Sequence, residues 1–204
     1  MEVWYASYGS NLLEERFLAY IYGRTATGSE QPEAGCKEKK PPKSSELIDI
    51  NYPLYFAKER SKWGAGGVAF IGTERSTLET TIGRMYLISE GQFIDVVAQE
   101  NNRHAISLEL ESIIANGYAD LGLGWYDRIV YLGDKNGAPI FTFTSSTPLS
   151  RVQFTMPSAA YLSTIAKGLM ESGLSLEEII EYFHDKNGIS GNLNEKELQK
   201  YIEG

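Results

Sequence analysis

The chain has 204 residues, 42% of them hydrophobic and 12% aromatic, enough for one compact domain, or one domain with an appendage, around a real core. Nineteen basic against 27 acidic residues leave a net charge of −8, which argues against nucleic acid as the main partner. The lone Cys36 has neither a disulfide partner nor a metal-ligating companion, the first residues lack the basic start and apolar stretch of a signal peptide, and no run approaches membrane-spanning length; a reducing cytoplasm is the expected home.

Val3 to Tyr8 is of β-forming type and runs into Gly9 and two residues suited to helix N-caps, Ser10 and Asn11. Leu13, Phe17, Tyr20 and Ile21 then fall on one face of a helix, and Asn11 with Glu14 three residues on reads as a capping box. A strand passing to a helix through a tight glycine turn leaves backbone N–H groups at the positive end of the helix dipole, a place for a carboxylate or phosphate. An ordinary βα turn that binds nothing is the competing reading.

Gly23 ends this helix, and residues 24 to 46 lose periodicity. Gly28 to Pro32 and the lysine-rich stretch Lys37 to Lys43 are loop composition, solvated rather than built to attract an acidic partner, with Cys36 exposed among them. Leu47 to Ala57 is extended, with Pro53 marking an edge or a bulge. In Trp63-Gly64-Ala65-Gly66-Gly67-Val68-Ala69 the glycines permit close backbone approach, and Val68 to Ile71 is a short buried strand.

Thr80 to Ile88 is the next strand, and Glu90 to Asn101 a helix on which Phe93, Val96, Val97 and Glu100 share a face. A carboxylate on an apolar face is uncommon, because burying one unpaired is expensive; a helix-end glutamate that reaches solvent or Arg103 is the alternative. Ile106, Leu110, Ile113 and Ile114 give a second helical stretch ending at Gly117, and His104 nearby has no companion ligand. Tyr126 to Leu132 and Ile140 to Ser145 are strands of a hairpin turned by Asn136-Gly137. The remainder is helical: Ala159 to Glu171, Ser175 to Phe183 with Ser175 as cap, and Glu195 to Ile202. Asp185 to Gly188 is a helix end rather than a calcium loop. Strands at the front and helices at the back give the α+β class. An exposed apolar face on the last helices would mark a homo-oligomer.

Tyr8-Gly9-Ser10-Asn11-Leu12 at the end of a first strand resembles the signature of the γ-glutamylcyclotransferase family. Trp63 to Ala69 is similar to that family's glycine-rich strand entry, Ile82-Gly83-Arg84-Met85-Tyr86 to its next strand, and Gln99-Glu100 falls where the family carries its catalytic glutamate. Tyr126 stands where a pocket tyrosine does, and Pro157-Ser158-Ala159-Ala160-Tyr161 resembles a segment that supplies another.

The resemblance covers most of residues 3 to 175. It implies a small, mixed, barrel-like sheet flanked by helices over residues 1–174, with residues 175–204 as a helical extension. It further implies a cyclotransferase (lyase) acting on a small-molecule γ-glutamyl substrate. The substrate's own α-amine attacks the γ-carbonyl, releasing 5-oxoproline and a free amine or amino acid, without cofactor or metal. Glu100 is then the acid/base, and Tyr8, Gly9, Ser10, Asn11, Leu12, Tyr126 and Tyr161 bind substrate.

The sequence departs from the pattern in a longer loop before residue 47, a longer segment from Glu100 to Tyr126, Phe141 in place of one pocket tyrosine, and helices past residue 175 with no counterpart. γ-Glutamyl amines, glutathione-like peptides and γ-glutamyl-protected antibiotic intermediates all remain open as substrates. A non-catalytic module binding γ-glutamyl or other carboxylate ligands is the alternative; such a module has no reason to keep Glu100 on an apolar face.

Overall fold

The computed structural model describes residues 1–26, 31–122 and 124–203. In chain order the elements are β1 (Glu2–Ser7), a 3-10 turn (Ser10–Leu12), α1 (Glu14–Tyr22), β2 (Ser44–Ile50), β3 (Leu54–Ala57), β4 (Arg60–Ser61), β5 (Gly64–Ala65), β6 (Val68–Ile71) and β7 (Thr81–Ser89). There follow α2 (Glu90–Glu100), α3 (Leu110–Asn116), β8 (Tyr118–Asp120), β9 (Arg128–Lys135), β10 (Ala138–Thr144), α4 (Ala159–Glu171), α5 (Leu176–His184) and α6 (Glu195–Glu203). The class is α+β, as expected. No helix among the described residues is long and apolar enough to cross a membrane.

The chain divides into two compact units. The first comprises residues 1–7, 15–48 and 84–146 and holds a six-stranded mixed sheet ordered β2-β7-β1-β10-β9-β8. β1 is central, antiparallel to β7 with Tyr5 opposite Tyr86, and parallel to β10 with Tyr5 opposite Phe141. The β9–β10 hairpin turns at Asn136 and Gly137, both with positive φ (53° and 79°), the geometry that the Asn-Gly pair signals. α1 and α2 bury Phe17, Tyr20, Ile21, Phe93, Val96 and Val97 with Val3, Tyr5, Tyr86 and Phe141 in one apolar cluster. α2 starts at a capping box, Ser89 accepting the Gln92 N–H while the Gln92 side chain accepts the Ser89 N–H.

The second unit comprises residues 8–14, 49–83 and 147–204. β3 pairs antiparallel with β6, Leu54 opposite Ile71, and α4, α5 and α6 pack on one another through the buried Leu162, Ile165, Leu169, Ile179, Phe183, Leu198 and Ile202. The glycines before β6 are required by close approach. A Cβ on Gly67 would lie 2.3 Å from the Thr155 carbonyl oxygen, and its N–H donates to the Met156 carbonyl at 2.8 Å. On α4 to α6, Met170 is the exposed large hydrophobic residue; the apolar stripes of α5 and α6 face inward.

Several expectations need correction. Asn11 does not cap α1: Ser10 to Leu12 form a separate 3-10 turn, Leu13 is extended (φ −73°, ψ 118°), and α1 begins at Glu14. The Glu14 N–H is met instead by the Glu171 carboxylate at 3.2 Å, a capping partner from α4 that no local pattern shows. The extended run from Leu47 breaks at Pro53 into β2 and β3, which belong to different sheets. The helix expected around Ile106 begins only at Leu110, and its Gly117 end is left-handed (φ 84°), as glycine there suggests. The loop expected at Gly28 to Pro32 lies at residues 28–30 outside the described residues.

Cys36 is buried, not exposed. Its segment is tied to α2 through the Gly35 N–H to Gln99 Oε1 (2.8 Å), the Lys37 N–H to Asp95 Oδ2 (2.8 Å), and Gln92 Nε2 to the carbonyls of Glu38 (3.1 Å) and Lys40 (2.8 Å). The lysine side chains are solvated as expected; the backbone beneath them is pinned. Burial, with the Asp95 charge adding to it, pushes the Cys36 thiol up to about 12. It is therefore expected to resist thiol reagents in the native protein and to react once the chain is unfolded. Labelling with and without denaturant reads this directly, and rapid native labelling would contradict it.

Candidate active site

The strand leading into the signature turn is one of the most buried in the protein, and the turn's conformation is fixed by what packs around it in the second unit. Tyr8, Asn11 and Leu12 are buried, Gly9 and Ser10 partly so. The Leu12 and Leu13 N–H groups close the turn on the carbonyls of Gly9 (3.0 Å) and Ser10 (3.2 Å). Gly9 lies against α4: a Cβ there would stand 3.1 Å from the Tyr161 hydroxyl. That hydroxyl accepts the Ala69 N–H at 3.1 Å, and the Tyr161 ring packs 5.1 Å from Trp63.

Tyr161 is aimed by the start of α4, where Ser158 is the N-cap. Its hydroxyl accepts the Tyr161 N–H (3.3 Å) and donates to the Trp63 carbonyl (3.5 Å). Three stretches singled out in the sequence, Tyr8 to Leu12, Trp63 to Ala69 and Pro157 to Tyr161, are thus packed together. Tyr161 is almost fully buried and frames the glycine turn from behind.

In the first unit, Glu100 is the last residue of α2 and is half-buried, as the face shared with Phe93, Val96 and Val97 requires. Its side chain is hydrogen-bonded to Tyr20 on α1. Burial first, then the charges of Glu100 and Glu33, hold the Tyr20 hydroxyl well above its ordinary pKa, so it stays a proton donor; Arg16 pulls the other way. Arg16 is itself buried and pairs with Glu33 at 3.2 Å, a buried cation offset by a partly buried carboxylate.

The residue after Glu100 positions Tyr126. Asn101 Nδ2 donates to the Tyr126 carbonyl (3.0 Å) and its Oδ1 accepts the Tyr126 N–H (3.2 Å), so the backbone of Tyr126, just ahead of β9, is clamped to the residue after Glu100. Tyr126 is half-buried, its ring edge-on to Phe143 at 5.4 Å. Phe141, standing where the resemblance places a tyrosine, is a core residue against Phe93 and Tyr131.

The other carboxylates of α2 are committed elsewhere. Glu90 faces the chain's N-terminal amino group at 3.5 Å, and Asp95 holds the Lys37 backbone and ammonium. Glu100 is the one beside a buried hydroxyl.

Sequence reasoning missed Tyr20, Arg16, Glu33 and Asn101. Tyr20 and Arg16 sit on an amphipathic helix where periodicity assigns the ring to the core and the charge to solvent. Asn101 had one signal, its place directly after Glu100.

No family model matches the chain. Over 202 residues, 91% of this chain is 33% identical to histone deacetylase 5 of Arabidopsis thaliana, of which the match makes up 31%. The chain therefore spans about a third of the length of the curated relative it matches, and there the matched stretch is one part of a longer protein. Among solved structures, a gamma-glutamyl cyclotransferase superposes over 100% of both chains with a TM-score of 0.51 at 18% identity. A human protein described as uncharacterized covers 100% of this chain at a TM-score of 0.49, also 18% identical. The fold class expected from the Tyr8 to Leu12 motif is met: the chain has the γ-glutamyl cyclotransferase fold.

Proposed function

We propose that this chain is a cyclotransferase that cleaves a γ-glutamyl amide by intramolecular attack, with Glu100 as its acid/base. The observation that carries this reading is the half-buried Glu100 carboxylate at the end of α2, beside a buried tyrosine hydroxyl, in a chain of this fold. The α-ammonium of the substrate gives a proton to the Glu100 carboxylate, and the freed nitrogen lone pair attacks the γ-carbonyl carbon. A C–N bond forms to close the five-membered ring, and Glu100 passes its proton to the departing nitrogen as the amide C–N bond breaks. It then relays the second proton from the ring nitrogen to the freed amine, which leaves as an ammonium while the ring keeps a single N–H. The products are 5-oxoproline and an amine or amino acid, with no water consumed.

Because the ring closure is intramolecular, the protein's task is to hold the glutamyl chain folded. Backbone N–H groups of the Tyr8 to Leu12 turn suit a substrate carboxylate or carbonyl, and Tyr126 and Tyr161 are the aromatic side chains that the family resemblance assigns to substrate binding. Residues 1–174 supply this machinery, with 175–204 as a helical extension.

The test is incubation of the purified protein with a panel of γ-glutamyl amines, peptides and protected amino acids, with mass-spectrometric detection of 5-oxoproline. Turnover of at least one class is expected. Binding of several compounds with turnover of none would mean a carboxylate-binding module instead.

A further inference from the structure

Tyr20 takes no part in the reaction as written above, yet its place in the first unit is unusual. It lies on α1 with its side chain almost fully buried, in the same apolar cluster as Phe17, Ile21, Phe93 and Val97. A phenol in such surroundings is expected to find a polar partner, since an unpaired buried hydroxyl is costly. The partner is the Glu100 carboxylate.

The backbone fixes the same pairing independently, because Gln99 Nε2 donates to the Tyr20 carbonyl at 3.2 Å and so pins the end of α2 against this turn of α1. The charged groups facing the contact are Glu33 and Arg16, which neutralise one another at 3.2 Å. Glu100 is the last residue of its helix and only half-buried, so its long side chain has rotamers to lose; a donor from the buried Tyr20 side selects among them.

We propose that Tyr20 is a positioning residue for Glu100: its hydroxyl donates a hydrogen bond to the carboxylate and holds it in the one orientation from which it exchanges protons with substrate. Through Tyr20, α1 sets the geometry of a group on α2. Burial and the charges of Glu100 and Glu33 keep Tyr20 protonated against the pull of Arg16, so the bond points one way. This inference rests on the proposed role of Glu100, but the contact itself can be examined without any substrate.

The test is Tyr20→Phe, which keeps the ring and removes the donor. In protein labelled with carbon-13 at the glutamate carboxyl carbons, the resonance absent from Glu100→Gln is that of Glu100. Its titration midpoint is expected to rise in Tyr20→Phe by on the order of one pH unit, because a hydrogen bond to the charged form has been removed. In turnover, kcat is expected to fall about tenfold with KM nearly unchanged, and the acid limb of the pH profile to move up with the NMR midpoint. A merely structural tyrosine would lower the melting temperature without moving either.

An unmoved Glu100 midpoint overturns the inference, whatever the enzyme does. An unmoved pH limb and kcat, in a protein that Glu100→Gln inactivates, overturns the positioning role and leaves the proposed function standing. Should Glu100→Gln retain full turnover, the reading of Glu100 as acid/base fails, and the positioning role fails with it. Should Tyr20→Phe not fold, the unaltered protein decides: its Tyr20 hydroxyl proton is expected to exchange slowly and to show a nuclear Overhauser contact to the Glu100 side chain, and absence of that contact overturns the inference.

Discussion

Glu100→Gln is expected to fold as the unaltered protein does and to lose on the order of a hundredfold or more in turnover. The amide keeps the shape of the carboxyl group and still accepts from Tyr20, but it neither takes a proton from the substrate ammonium nor returns one to the leaving nitrogen. Substrate binding is expected to persist, because the Tyr8 to Leu12 turn and the tyrosines are untouched. Stability is expected to hold or rise slightly, since a neutral group replaces a partly desolvated charge. Steady-state kinetics with the best γ-glutamyl substrate, beside a thermal melt, measures both. Undiminished turnover would remove Glu100 from the chemistry. Glu90 and Asp95 offer no ready replacement, being engaged by the N-terminal amino group and by Lys37.

Gly168→Ala is expected to damage both the stability of the second unit and the position of the signature turn. Gly168 lies in the middle of α4, where alanine would ordinarily stabilise a helix by about 1 kcal/mol. Here an added Cβ would stand 2.4 Å from both the Leu12 carbonyl carbon and the Leu13 nitrogen, and 2.7 Å from the Leu12 Cβ. Two of those neighbours are backbone, so no side chain can swing aside, and either α4 or the signature turn must move.

The overpacking cost exceeds the helix gain, and a net loss of about 2 kcal/mol is expected. Because Leu12 and Leu13 directly follow Gly9 to Asn11, a displaced turn is expected to raise KM about tenfold by misplacing the substrate's anchor. Gly91→Ala is the matched control, since a Cβ there meets nothing nearer than the Ser89 hydroxyl at 4.0 Å. A Gly168→Ala protein that melts and binds like the control would show that α4 does not set the turn.

What the sequence disclosed follows from the range of the interactions involved. α2 and α4 to α6 were legible because their apolar stripes are local, and Ser175, read as a cap, accepts the Glu178 N–H three residues on. The β9–β10 hairpin was legible because two consecutive positive-φ residues select Asn-Gly. The strand that ends at the signature turn was legible from its composition.

Features set by distant segments were not legible. Cys36 reads as part of a lysine-rich loop, yet its thiol lies against the Tyr20 and Gln92 carbonyls because Gln92, Asp95 and Gln99 of α2 hold that loop down. β8 is three residues long and exists by pairing with β9, Tyr118 opposite Val130. Asn11 has the composition of a cap, but Glu171, more than 150 residues later, takes the position.

The candidate site was half legible. The glycine turn and the odd placement of Glu100 could be named from residue order, and Tyr161 only from the family resemblance. Tyr20 could not, because a tyrosine on an apolar helical stripe gives no sign of where its hydroxyl points until the partner helix is in place.

The most direct test of the account is the fate of oxygen when the best γ-glutamyl substrate is turned over in water enriched in heavy oxygen. Intramolecular attack predicts 5-oxoproline and the freed amine in equal amounts, with no heavy oxygen in the 5-oxoproline and no glutamate formed. Glutamate carrying heavy oxygen from water would mean hydrolysis, and would contradict the account.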